Sequence, residues 1–143
     1  MGLMIGLGMI VLGAAACSQS GTGSRMGAMM GAGTALTGAQ EVPAVNTQAT
    51  GVSSIIVSGD KNISGDVRTT NLNGTAAHIH QGAMGQNGPV IIPLVKTADG
   101  IWTVPANTIL TSAQFDAYRA GDLYVNVHSA ANPGGEIRAQ IKP

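Results

Sequence analysis

The sequence predicts an all-β domain, an antiparallel, Greek-key-like β-sandwich of about seven to eight strands with one short helix. Three observations carry this expectation. Runs of alternating or β-branched residues recur throughout 35–143. Turn signals rich in Gly, Asn, Asp and Pro separate them about every eight to twelve residues. A single segment, 111–121, has helix-boundary chemistry at both ends.

Taken in order, residues 36–42 read as a first strand ending at Pro43. Residues 52–58 form a β-rich run closed by the turn Gly59-Asp60-Lys61-Asn62. Residues 63–70 alternate, with Ile63, Gly65, Val67 and Thr69 on one face and Ser64, Asp66, Arg68 and Thr70 on the other. These two runs read as an antiparallel hairpin. A turn at 71–74 leads into a strand over 75–80, and 81–89 is a Gly-rich loop. Residues 90–95 read as a short buried strand whose Pro93 implies an edge or a bulge. After the turn Asp99-Gly100, residues 101–104 make another strand. In the helix, Thr111 and Gln114 have capping-box spacing, Leu110 and Phe115 have staple spacing, and Gly121 is the C-terminal cap. Two strands follow, over 122–129 and 136–142. In the second, Ile137, Ala139 and Ile141 point inward and Glu136, Arg138 and Gln140 outward.

The candidate site lies on the strands at 75–80 and 122–129. The chain has three histidines, His78, His80 and His128. His78 and His80 are two apart on a strand and therefore share a face, opposite Ile79. Leu123, Val125 and Val127 take the core side of their strand, which leaves Tyr124, Asn126 and His128 on the other. None of the three histidines falls where the alternation places the core. Neighbouring strands lie about 5 Å apart, so three imidazoles from two neighbours can meet one ion at about 2 Å from each. Neutral imidazoles suit Cu or Zn. Met84 in the following loop and Tyr124 beside His128 are candidate further contacts. Glu41 and Glu136 are candidate carboxylates to orient an imidazole, although for Glu136 pairing with Arg138 is an equal alternative and plain solvation is the expected case.

Composition narrows the partners. Seven basic and seven acidic residues give a net charge of zero, so no basic surface exists for nucleic acid. Aromatic residues, one Trp, two Tyr and one Phe, are too few for base-stacking platforms. No nucleophile elbow, Walker loop or dinucleotide fingerprint is present. The sequence therefore leans against an enzyme and leaves metal chemistry as the one motivated route to catalysis.

Part of the 44% apolar content sits in the first 17 residues. An apolar run over 3–12 leads to Gly13-Ala14-Ala15-Ala16-Cys17. It has the length of a signal-peptide hydrophobic region and is too short for a transmembrane helix. The lone cysteine after small residues resembles a bacterial lipoprotein signal, which makes Cys17 the expected lipidation site and the membrane an expected partner. Two features depart from that pattern: no Lys or Arg precedes the run, and Leu12 lies five residues before Cys17. An ordinary signal peptide cut nearby is the alternative. Residues 18–34 read as a flexible Gly/Ser/Met linker that buries little apolar area. The expected setting is the cell envelope, at the outer or plasma membrane, facing the periplasm or the exterior.

Several blocks carry a family resemblance. Leu36-Thr37-Gly38-Ala39-Gln40-Glu41-Val42-Pro43 resembles the opening of a CHRD domain, the module first named in chordin. Ala77-His78-Ile79-His80-Gln81-Gly82, Asn87-Gly88-Pro89-Val90, and the segments 121–129 and 132–141 continue it in the family's order. The family usually has glycine where this chain has Ala139. The resemblance implies a β-rich module and, for bacterial members, a single domain behind an export signal. The expected function is a lipid-anchored envelope protein that binds Cu or Zn through three histidines. The alternative is a metal-free protein-binding or adhesion module whose partner the sequence does not name.

Overall fold

The computed structural model describes residues 33–143 and, before them, Gly2. The leader expected over 1–17 with Cys17, and the linker over 18–34, lie outside the described residues apart from Gly2, Gly33 and Thr34. The first strand starts at Thr34, one residue before the expected domain start. Among the described residues no helix is long and apolar enough to cross a membrane.

The strands are β1 (Thr34–Thr37), β2 (Thr50–Ser53), β3 (Ile56–Val57), β4 (Ile63–Ser64), β5 (Asp66–Thr70), β6 (Gly74–Gln81), β7 (Val90–Pro93), β8 (Val95–Ala98), β9 (Ile101–Thr103), β10 (Leu123–Ser129) and β11 (Ile137–Ile141). One helix, α1 (Ser112–Ala120), precedes β10. The all-β antiparallel class with a single short helix is the one the sequence predicts. Its organisation differs slightly from a two-sheet sandwich. Nine strands form one sheet in the order β7-β6-β10-β11-β1-β2-β5-β9-β8, and β3 and β4 pair separately.

The sheet curls nearly into a barrel, and the chain itself shows why. The two edge strands, β7 and β8, are consecutive and separated by Leu94 alone. Two residues span at most about 7 Å, so the two edge strands must meet end to end at Leu94. Pro93 faces His78 on β6, while Val95 faces Thr103 on β9. The run over 90–95 is therefore not one buried strand. It switches sheet edges after Pro93, and Val90 and Val95 are each about half exposed. At the opposite corner, β1 pairs along all four residues with β2 and through Thr37 with Arg138 of β11.

Two other runs break earlier than their periodicity suggests. The first strand stops at Thr37, because a 3-10 turn over Gly38–Gln40 takes over. The Gly38 carbonyl accepts from the Glu41 and Val45 amides at 3.1 and 2.9 Å. The hairpin forms as expected, Val52 facing Arg68 and Ile56 facing Ser64, but in two pieces. Gly65 interrupts the second strand at φ +117°, and a Cβ there would sit 2.5 Å from the Ser54 carbonyl oxygen.

The core fills the space between the two halves of the curled sheet. Ile79, Val125, Val127 and Ile137 come from one half, and Val67 and Trp102 from the other, all in one buried cluster. Each such side chain contributes about 1.5–3 kcal/mol. The helix adds Tyr118, with the Phe115 ring 6.1 Å from its own. Its N-terminus carries the predicted capping box. The Gln114 amide donates to Thr111 Oγ1 at 3.2 Å, and the Thr111 amide donates to Gln114 Oε1 at 2.9 Å. Gly121 closes the helix at φ 83° and turns the chain into β10.

The cap makes a direct prediction. Thr111→Ala should lower stability by about 1 kcal/mol, read as a lower urea midpoint at unchanged slope. An unchanged midpoint would show that the box contributes nothing beyond what water supplies.

Candidate functional site

β6, β10 and β11 are neighbours, and their registers decide what meets. Tyr124 faces His80 on one side and Gln140 on the other, while Asn126 faces His78 and Arg138. Because side chains alternate, these residues project from the same outer face. Ile79, Val125 and Ala139 project into the core from between them and are fully buried.

The three histidines come together on this face. One nitrogen from each lies within 4.8 Å of the others. His78 Nδ1 and His128 Nε2 are 2.9 Å apart. His128 Nδ1 donates to the Pro133 carbonyl at 2.9 Å. His80 Nδ1 donates to the Gly88 carbonyl at 2.9 Å, and its Nε2 lies 3.0 Å from Asn126 Oδ1. A carbonyl only accepts, so it fixes the proton on Nδ1 and leaves Nε2 as the available lone pair. Two of the three imidazoles are thus held in a defined tautomer by the backbone, the arrangement that orients histidine ligands at metal sites. His128 Nε2 is then the acceptor of that pair and His78 Nδ1 its donor. A shift of the His78 proton to Nε2 and a widening of about 0.4 Å would bring the two nitrogens to the roughly 3.3 Å that two tetrahedral donors need at 2.0 Å from an ion.

The environment disfavours the charged form of two of the rings, His78 and His80. Burial, then the neighbouring imidazoles of His128 and His80, hold the His78 pKa below its usual value. Burial also lowers that of His80, against the opposite pull of its contacts with Gly88 and Asn126.

The face is not open, as the outward alternation of 136–142 suggests. Arg138 is 1% exposed, and Glu136, Gln140 and His80 are also buried. The loop over 82–89 covers it. Arg138 donates to the Ala83 and Gln86 carbonyls at 3.3 and 2.8 Å and to Asn87 Oδ1 at 3.2 Å. Gln140 donates to the Gly82 and Gly121 carbonyls, both at 2.8 Å. Where the loop returns, a Cβ on Gly88 would sit 1.7 Å from the Gln81 carbonyl oxygen, so only glycine fits.

The other predicted residues sort differently. Tyr124 stacks on His80, with centroids 4.6 Å apart and planes 4° from parallel. The Arg138 guanidinium lies 3.4 Å from the Tyr124 ring centre. β6 and β11 flank β10, so the phenol ring is held between imidazole and guanidinium. The Tyr124 hydroxyl accepts from the Gly88 amide at 3.1 Å rather than reaching the histidines. Met84 is 66% exposed and lines clefts with Arg119 and Lys142 and with Gln40 and Glu41. Glu136 does not pair with Arg138 or with an imidazole; it accepts from Thr47 at 2.6 Å and from Ser129. Glu41 is buried beside Asn126 and reaches the histidines only through it. Asn126 itself is absent from the sequence-derived site. Its signal was present, since it shares the parity of Tyr124 and His128, but its pairing with His78 depends on a register the sequence does not show.

The arrangement defines a class: an antiparallel β-domain with a histidine patch under a pinned loop on the outer face of three neighbouring strands. Residues 32–141 match the CHRD domain family across most of the chain, and the chain belongs to that family. No curated protein and no solved structure matches it.

The loop contacts make the second prediction. Arg138→Met leaves the Gln86 carbonyl and Asn87 Oδ1 without their donor, the Ala83 carbonyl keeping the Gln86 amide, and should cost at least about 2 kcal/mol. Amide exchange over 82–88 should rise well above that of β10. Equal protection of the loop in the variant would show that something other than Arg138 holds it.

Proposed function

We propose that this CHRD-domain protein binds a transition metal ion, Cu or Zn, through His78, His80 and His128. The observation that carries the reading is the pair of backbone carbonyls, Gly88 and Pro133, that fix the Nδ1 protons of His80 and His128. His128 Nε2 then faces His78 Nδ1 and His80 Nε2 faces Asn126 Oδ1, while one nitrogen of each of the three rings lies within 4.8 Å of the others. Neutral nitrogen donors of this kind suit Cu and Zn. The runner-up is a metal-free binding module, and one contact favours it. The His78–His128 hydrogen bond already satisfies that pair without an ion.

Protein purified without a histidine tag should bind Zn(II) or Cu(II) with a Kd below about 10 μM, roughly 7 kcal/mol. His128→Ala, at a half-buried position, should weaken binding by more than the about 10–100-fold that loss of an orienting partner costs. Protons compete for the same lone pairs. The lowered pKa values of His78 and His80 put the acid loss of binding beneath the about 6.5 of free histidine. Calorimetry that shows no binding at neutral pH would leave the binding-module reading.

We further propose that the protein is exported and anchored through Cys17, with 18–34 as a tether. The support is the apolar run ending in small residues and a lone cysteine. Cys17→Ser should move the protein from the membrane fraction to the soluble one. Unchanged fractionation would rule out the anchor and leave metal binding untouched.

A further inference from the structure

Asn126 occupies the middle of the histidine patch. It faces His78 across the strand pair, precedes His128 by two residues on the same strand face, and places Oδ1 3.0 Å from His80 Nε2. Its amide orientation follows from its other neighbour. Asn126 Nδ2 and Glu41 Oε1 crowd the same spot, 2.6 and 2.5 Å from where a Cβ on Gly135 would stand. A carboxylate accepts only, so it takes the NH2 end of the amide and turns Oδ1 towards His80. This is an electrostatic contact rather than a full hydrogen bond, because Glu41 Oε1 has no partner at hydrogen-bonding geometry.

The consequence is an acceptor facing a lone pair. The Nδ1 proton of His80 is committed to Gly88. In the neutral ring, Nε2 then presents its lone pair to the lone pairs of Asn126 Oδ1. Asn126 is 2% exposed, so water does not freely screen the clash. A positive centre between the two atoms relieves it. We infer that Asn126 Oδ1 is a fourth donor to the ion held by the three histidines, and that Glu41 is a positioning residue that selects the amide end presented to it. This rests on the metal reading and extends it from three nitrogen donors to a set of three nitrogens and one oxygen. A closed set of four protein donors is the pattern of a storage or structural site, whereas a catalytic zinc keeps a position open for water or substrate.

The test is a Zn(II) titration of the full chain, followed by calorimetry and by NMR of isotope-labelled protein. On saturation, the Asn126 side-chain Cγ and Nδ2 signals should shift together with those of the three imidazoles. Asn126→Ala should bind Zn(II) more weakly by more than the about 10–100-fold that loss of an orienting partner costs, with its far-UV spectrum unchanged. Glu41→Gln should weaken binding about tenfold and change the ring-nitrogen signals of His80. Wild-type protein that binds no zinc removes the metal reading and this inference with it. Zinc binding that leaves the Asn126 side-chain signals unmoved, or a folded Asn126→Ala that binds as tightly as wild type, removes the oxygen donor alone. The NMR arm needs no variant and decides the question if Asn126→Ala does not fold. Unaltered affinity and His80 signals in Glu41→Gln remove the positioning role.

Discussion

The guanidinium of Arg138 is the interaction on which the site depends. It is a buried cation, and its donors are directed mainly at loop carbonyls. Isolated burial of such a charge is costly, and here neutral carbonyls and the Tyr124 ring solvate it in place of water. The same contacts bring the loop over 82–89 down onto the sheet. Once the loop is down, the Gly88 carbonyl stands where His80 Nδ1 can donate to it, and the Gly88 amide meets the Tyr124 hydroxyl. The orientation of an imidazole on β6 therefore depends on a residue two strands away on β11. Arginine suits this position better than lysine, because its planar fork serves several carbonyls at once while stacking on an aromatic face.

Much of this was legible in the sequence. The period of two placed His78, His80 and His128 on the faces they occupy, and the capping box at Thr111 and Gln114 is present at both of its bonds. What failed has a common physical origin. Alternation tells which side of a strand a residue takes, but not whether something later covers that side. Arg138 and Gln140 point away from the core and are buried all the same, because a loop some fifty residues earlier folds over them. Glu136 lies two residues before Arg138 and just outside β11. Spacing made Arg138 a natural partner for it, but Glu136 accepts from Thr47 and Ser129 instead. The breaks at Gly38 and Gly65 belong to tertiary fit, and so does the edge switch after Pro93.

β10 and β11 are consequently buried on both faces, one by the aliphatic core and one by the loop. This makes the centre of the site stiff. A packed aliphatic layer supports the backbone from below, and polar contacts fix the side chains from above. Side chains held this way lose little conformational entropy on engaging a ligand, so more of the interaction energy is retained as affinity.

The switch of the chain from β7 to β8 through Leu94 bears on how the protein meets copies of itself. An open sheet offers unpaired amides and carbonyls along its edges, and another chain can add a strand there. Here each edge strand is four residues long. Pro93, with no N–H to offer, ends one, and Lys96 puts a charge on the other. Such short, interrupted edges are poor templates for cross-chain pairing. A β-rich chain with few charges, otherwise a candidate for aggregation at high local density, is thereby shielded by the way its sheet closes.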